Sequence, residues 1–185
     1  VDFSKCNFGP KAVIEFAKFI PAMAAVEAIA IGANPITSEG GAILLEAIKT
    51  SKLKTIDIGK PLPLQEPYES DTLDLSNTQM DPGHVLLLSW WLGTEFSAAL
   101  TSINCLMNPI GEDGLATLVS AVKDSSVRSI CGLTEGQTTV DFSGMGLGPF
   151  DCKIMAAEFD FRGAIAAVTS INCLANQFGD DDLAT

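Results

Sequence analysis

The strongest constraint on this chain is that it repeats itself. Residues 100–117 read LTSINCLMNPIGEDGLAT and residues 168–185 read VTSINCLANQFGDDDLAT, identical at twelve of eighteen positions at an offset of 68. A more diverged copy starts at Val26 and runs VEAIAIGANPITSEGGAILLEAIK, which places Asn34 over Asn108 and Lys49 over Lys123. A second wording recurs as Val1-Asp2-Phe3-Ser4, Leu73-Asp74-Leu75-Ser76 and Val140-Asp141-Phe142-Ser143. A third pairs Leu53-Lys54-Thr55-Ile56-Asp57-Ile58 with Val127-Arg128-Ser129-Ile130-Cys131-Gly132. The chain therefore cycles through three unit types in a single array of about eight units, with approximate bounds 1–25, 26–52, 53–70, 71–99, 100–126, 127–137, 138–167 and 168–185. Units this short enclose no core of their own, so this periodicity predicts units that bury their apolar faces against one another. Both ends fall in mid-pattern, which predicts a fragment of a longer array.

The second unit type carries the clearest internal logic. An apolar-x-apolar stretch predicts a short strand with alternating faces. The Asn that follows turns the chain inward, where its amide reaches backbone groups of neighbouring turns. The next Ile or Leu anchors that turn, Gly40 or Gly114 opens a helix, and Leu118, Ala121 and Val122 face the strand layer. Leu100, Ile103, Cys105, Asn108 and Ile110 follow L-x-x-L-x-L-x-x-N-x-L, as do Val26, Ile29, Ile31, Asn34 and Ile36, and Val168, Ile171, Cys173, Asn176 and Phe178. This resembles the leucine-rich repeat family over essentially the whole chain. The helical continuation Gly111-x-x-Gly114-x-x-x-Leu118-x-x-x-Val122 is similar to its ribonuclease-inhibitor-like subfamily. The resemblance implies an α/β solenoid, a horseshoe with a parallel sheet on the concave side and helices and irregular loops on the convex side. The third unit type departs from it. Residues 59–71 (GKPLPLQEPYESD) hold three prolines and residues 133–138 (LTEGQT) are shorter still, so each predicts a strand without a following helix.

Charge and composition exclude several classes of function. Eleven Lys and Arg stand against 23 Asp and Glu, a formal charge of −12, which repels phosphate backbones and anionic lipid and argues against nucleic-acid binding. Apolar residues make up 47% of the chain against 18% charged, so it is no disordered acidic tail. The apolar runs fall short of the ~20 residues that span a bilayer, so no transmembrane segment is expected. The five cysteines are odd in number and widely spaced, with no C-x-x-C, which points to an intracellular, reducing compartment rather than a disulfide framework.

Two surfaces stand out as partner-binding candidates. The outward strand position between the two core residues reads Asp2, Ala30, Asp57, Asp74, Asn104, Cys131, Asp141 and Asn172 along the array. Its acid and amide members form a concave ladder suited to a basic protein, or side chains that bond the neighbouring turns. The second surface lies in residues 84–96, HVLLLSWWLGTEF. There Val85, Leu88 and Leu92 take the inward face, while Leu86, Leu87, Trp90 and Trp91 take the outer arc, where sister units carry Lys153, Glu15, Lys18 and Glu158. A helix apolar on all sides is covered on all sides, which predicts a convex contact patch at Leu86, Leu87, Trp90 and Trp91. The alternative is that the following segment, with Phe96, folds back over it or that the tryptophans pack on the Pro-rich loop 59–71.

Three tempting motifs carry no chemistry when sister units are compared. Gly144-x-Gly146-x-Gly148 hints at a phosphate loop, but CNFGP at 6–10 and TQMDP at 78–82 lack those glycines. Asp180-Asp181-Asp182 aligns with Glu112-Asp113-Gly114 at a helix start, where acids complement the helix dipole. His84 has no orienting acid beside it that fits a Ser/His/Asp arrangement. No catalytic residue, metal or cofactor is therefore expected. The reading is a non-catalytic protein–protein interaction module or scaffold subunit of a larger assembly. By similarity to leucine-rich arrays of single-celled algae, a specific version is a peripheral, thylakoid-associated subunit of a plastid photosynthetic membrane complex. The alternative is an inhibitor or regulator of a basic enzyme, acting through the acidic concave face.

Overall fold

Proline opens three of the five α-helices of the computed structural model, which describes residues 1–160 and 164–179. The helices are α1 (Pro10–Ala17), α2 (Thr37–Lys49), α3 (Pro82–Leu92), α4 (Gly111–Lys123) and α5 (Pro149–Asp160). Proline fits the first helical position because its missing N–H has no partner there in any case. The helices α2 and α4 start at Thr37 and Gly111, one turn before Gly40 and Gly114, and both of these glycines are buried inside the first turn. The last turns of α2 and α4 carry Lys49 and Lys123, where a cation complements the dipole.

The strands are three residues each: β1 (Ala28–Ala30), β2 (Thr55–Asp57), β3 (Pro61–Pro63), β4 (Thr72–Asp74), β5 (Ser102–Asn104), β6 (Thr139–Asp141) and β7 (Ser170–Asn172). They fall in two compact units. The first unit comprises Val1–Glu69, Thr78–Ala99 and Asn108–Ser125. It holds α1 to α4, each packed on the next, and the sheet β1-β2-β3. Its core is built from Ile29, Ile31, Ile56, Ile58, Leu62, Leu44, Val85 and Leu88. The second unit comprises Ser70–Asn77, Leu100–Met107 and the chain from Ser126 onward. It holds α5 and the parallel pairs β4-β5 and β6-β7, over a core of Leu75, Ile103, Cys105, Ile130, Val140 and Ile154.

The buried asparagines behave as the turn chemistry requires. In the first unit, Asn34 accepts the Phe8 N–H at 2.9 Å and donates to the carbonyls of Phe3 and Ile31 at 2.8 Å. Asn108 accepts the N–H groups of Thr78 and Met80 at 3.1 and 2.9 Å. In the second unit, Asn176 donates to Phe142 and Cys173 and accepts from Leu147. Each amide thus satisfies backbone groups that a buried turn would otherwise leave unpaired.

The expected leucine-rich-repeat solenoid is not what forms. The described residues form a mixed α/β fold with five α-helices and three separate sheets of two or three strands, and no long parallel sheet among them. The third unit type supplies the physical reason. In the first unit the chain turns at Gly59 (φ 121°) and lays β3 antiparallel on β2. Pro61 and Pro63 have no N–H to donate, which suits the outer edge of a sheet and ends the ladder there. In the second unit residues 127–132 form only isolated bridges, Ser102 to Ser129 and Asn104 to Cys131, the latter antiparallel. Strands of three residues carry too few ladder bonds to continue past such breaks. The last unit expected from the sequence, 168–185, is described only to residue 179. No helix among the described residues is long and apolar enough to cross a membrane.

Candidate functional site

The acid and amide residues at the outward strand position share one local geometry. Asp2, Asp57, Asp74, Asn104, Asp141 and Asn172 each accept, on Oδ1, the backbone N–H two residues on, at 2.7 to 3.2 Å. The side chain closes the turn that ends each strand, which accounts for the recurrence of this residue class. Turn closure needs only an oxygen, and Asn104 and Asn172 supply it without charge. The carboxylates at the other four positions therefore add charge that the turn does not require.

Strand pairing sets the spacing of these charges. In the first unit Asp2 bridges Ala30, and Ala30 lies opposite Asp57. In the second, Asp74 lies opposite Asn104, which bridges Cys131, and Asp141 lies opposite Asn172. Every carboxylate in these pairs has an uncharged neighbour. The two carboxylates of the first unit are thus two strand spacings apart, about 10 Å, and direct like-charge pairs, which destabilise a sheet, are avoided. The N–H and hydroxyl of Ser4 hold the Asp2 carboxyl below its usual range, and the hydroxyl and N–H of Ser143 do the same for Asp141.

The apolar helix α3 is spent largely on its own unit. The expected contact patch Leu86, Leu87, Trp90 and Trp91 is divided: Leu87 and Trp91 are buried, while Leu86 and Trp90 are half-buried. Trp91 is 0% exposed. Its Nε1–H donates to the Pro63 carbonyl at 2.7 Å, and the Tyr68 ring stands edge-on to it at 5.7 Å. The Pro-rich stretch 61–68 takes the place of a helix and covers this side of α3. Among the sister charges Lys153, Glu15 and Lys18 are exposed, but Glu158 on α5 is only 2% exposed. Its Oε2 accepts the N–H groups of Ile130 and Cys131 at 2.6 and 3.2 Å. Trp91 and Glu158 thus hold equivalent positions, and each bonds the backbone of a third-type unit, one as donor and one as acceptor.

His84 is also internal. It is 0% exposed. Its Nε2 faces the Ile31 carbonyl at 3.2 Å, and its Nδ1 lies 2.8 Å from Asp81 Oδ1 and 3.2 Å from the Asp81 backbone nitrogen. Asp81 caps α3 by accepting the N–H groups of Gly83 and His84, and its second oxygen accepts the Thr37 N–H at 2.7 Å. Burial raises the Asp81 carboxyl, but hydrogen bonds from His84 and Thr37 outweigh it and leave it below its usual value. Both imidazole nitrogens are committed to the fold. The glycines of Gly144-x-Gly146 serve a turn: both have positive φ, as do Lys5 and Asn7, and Asn77 and Gln79, at the sister positions. The Asp180-Asp181-Asp182 run lies outside the described residues. Among the described residues no cluster of His, Cys, Asp and Glu is arranged to hold a metal, and none of the five cysteines is in a disulfide.

One concave feature lies on the strand face of the second unit. It is a notch of about 160 Å³ lined by Thr72, Leu73 and Asp74 of β4, Ser102 and Asn104 of β5, and Gly132. Ser102 is 2% exposed and its hydroxyl has no hydrogen-bond partner. The ladder position was legible in the sequence as the outward residue between the two core positions of each strand. The Ser102 hydroxyl and the buried Glu158 were not, because each depends on what packs over it. No family model matches this sequence, and no curated protein matches it either.

Proposed function

We propose that this chain is a non-catalytic protein-interaction module that binds a basic partner through the carboxylates on the outward faces of its short strands. One observation carries this reading. Asn closes the strand-end turn as well as Asp does, yet Asp2, Asp57, Asp74 and Asp141 place charge there, with an uncharged residue beside each in the strand pairs. The formal charge of −12 extends the same field and speeds encounter with a cationic surface. The reading does not draw on a membrane-complex contact through α3, since Leu87 and Trp91 serve the chain's own core.

The test is a titration of the intact chain with an octalysine peptide at several salt concentrations. The triple variant Asp57→Asn, Asp74→Asn, Asp141→Asn retains the turn-closing oxygens and removes the charges. Binding should weaken by about tenfold or more in the variant, with a shallower salt dependence. Equal affinity of the variant and the parent protein would overturn the assignment of this face.

A further inference from the structure

We propose that the notch between Thr72, Asp74, Ser102, Asn104 and Gly132 is a subsite for one lysine side chain of the partner, an inference that rests on the basic-partner reading above. The notch exists because of three local choices. Strand pairing sets Thr72 beside Ser102 and Asp74 beside Asn104, giving a two-by-two polar patch on one face. Gly132 closes the third side without a side chain. It adopts φ 79°, and a Cβ there would lie 3.1 Å from the Asn104 Cβ. Ser102 forms the floor, with a hydroxyl that finds no partner inside the protein. Buried hydroxyls are normally paired, so an orphan at the floor of a polar notch points to a partner from outside. The oxygen is buried in this rotamer, and rotation about the single side-chain torsion is what would bring it to the opening when a lysine binds.

The acceptors present select an ammonium over a guanidinium. Asp74 Oδ1 already accepts both the N–H and the hydroxyl of Ser76, at 3.0 and 2.7 Å, which leaves only Oδ2 for a ligand. A guanidinium fork needs two parallel acceptors, and this carboxylate offers one. Asn104 Oδ1 accepts the Leu106 N–H and keeps a second lone pair. Asp74 Oδ2, Asn104 Oδ1 and Ser102 Oγ thus give three single acceptors from three residues, matching the three N–H bonds of an ammonium. The volume of about 160 Å³ takes that group and its last methylenes. The same four residue types recur at Thr139, Asp141, Ser170 and Asn172, but there Ser170 is exposed, so this pair of strands serves as an internal control.

The probe is an acetyl-Gly-Lys-Gly amide peptide titrated onto the intact chain, with backbone and Asn side-chain amide shifts followed by NMR. Saturable shifts are expected at Ser102, Asn104 and Gly132. Asp74→Asn should weaken binding about tenfold and Ser102→Ala about threefold, while Ser170→Ala at the sister position leaves it unchanged. Ser102→Ala breaks no internal hydrogen bond, so it keeps the proposal testable without threatening the fold. Acetylation of the lysine Nζ should abolish the shifts. Equal or tighter binding of the arginine analogue, or shifts spread evenly over Asp141 and Asn172, would overturn the subsite and leave the acidic-face reading standing. Absence of binding by octalysine as well would overturn both.

Discussion

Glu158 pairs one carboxylate oxygen with two backbone N–H groups and leaves the other, Oε1, buried without a partner. Burial raises its pKa, and the hydrogen bonds from Ser129, Ile130 and Cys131 recover only part of the cost. Burial, together with the same carboxylate, pushes the Cys105 thiol up to about 12, so that thiol is a packing group and no nucleophile. A raised carboxyl pKa makes stability fall with pH. Between the ordinary value of 4.5 and the higher folded value, the folded chain holds a proton that the unfolded chain has released. That stability is present below pH 4.5 and is lost as pH rises through the folded value. Glu158→Gln keeps an oxygen for the two N–H groups and cannot ionise. Denaturant titrations at pH 4 and pH 8 should show the variant gaining about 1 kcal/mol on the parent protein at the higher pH, the low end of the penalty for a buried unpaired polar atom. Parallel pH profiles would rule out the carboxyl as the source.

The packing of α2 on α3 in the first unit shows how much an element can depend on the absence of a side chain. Gly41 and Gly83 face each other across this contact, and a Cβ on Gly83 would lie 2.2 Å from the Thr37 carbonyl oxygen and 2.6 Å from Ile36 Cγ1. Helix propensity alone favours alanine there by about 1 kcal/mol. Overpacking against backbone costs about 3 kcal/mol and decides the sign. Gly83→Ala should therefore lower unfolding stability by about 2 kcal/mol in a chemical denaturation series. Gly114→Ala on α4 meets neighbours at 3.4 Å or beyond and should be neutral or stabilising. These close approaches also mark the limit of what the sequence discloses. The turn-closing Asp and Asn and the inward Asn34 and Asn108 are legible because their partners are set by local spacing or by the repeat. The inward positions Val85, Leu88 and Leu92 follow from helical period and are buried. Packing of the tryptophans on the Pro-rich loop 59–71 stood as the alternative and holds for Trp91, but that loop has no periodicity of its own to separate Trp91 from the half-buried Trp90. Glu158 was hidden because sister comparison reads a charge as a solvated face. The expected horseshoe failed at Gly59 and Gly132, where single backbone angles turn a strand that the repeat wording would have continued.

At the scale of the whole molecule, the balance to explain is a net charge of −12 on a chain only 18% charged. Self-repulsion at that charge destabilises the folded state, and the fold limits it locally by placing Ala30, Asn104 and Asn172 beside the strand-face carboxylates. A separation of about 10 Å matches the screening length at ordinary salt, whereas adjacent strands at ~4.8 Å lie well inside it. Asn172→Asp tests this spacing without altering the turn, since the new carboxylate still accepts the Leu174 N–H. It sets a second charge directly opposite Asp141, whose own carboxyl is held ionised by Ser143. The variant should unfold at a lower temperature than the parent protein at 20 mM salt, because like charges directly opposite each other destabilise a strand pair. It should recover most of that loss at about 0.5 M salt, where the screening length falls below the strand spacing. The reading is thermal unfolding of both proteins across the salt series. A salt-independent deficit would place the cost in packing rather than charge, and would remove the argument that uncharged neighbours are there to keep the carboxylates apart.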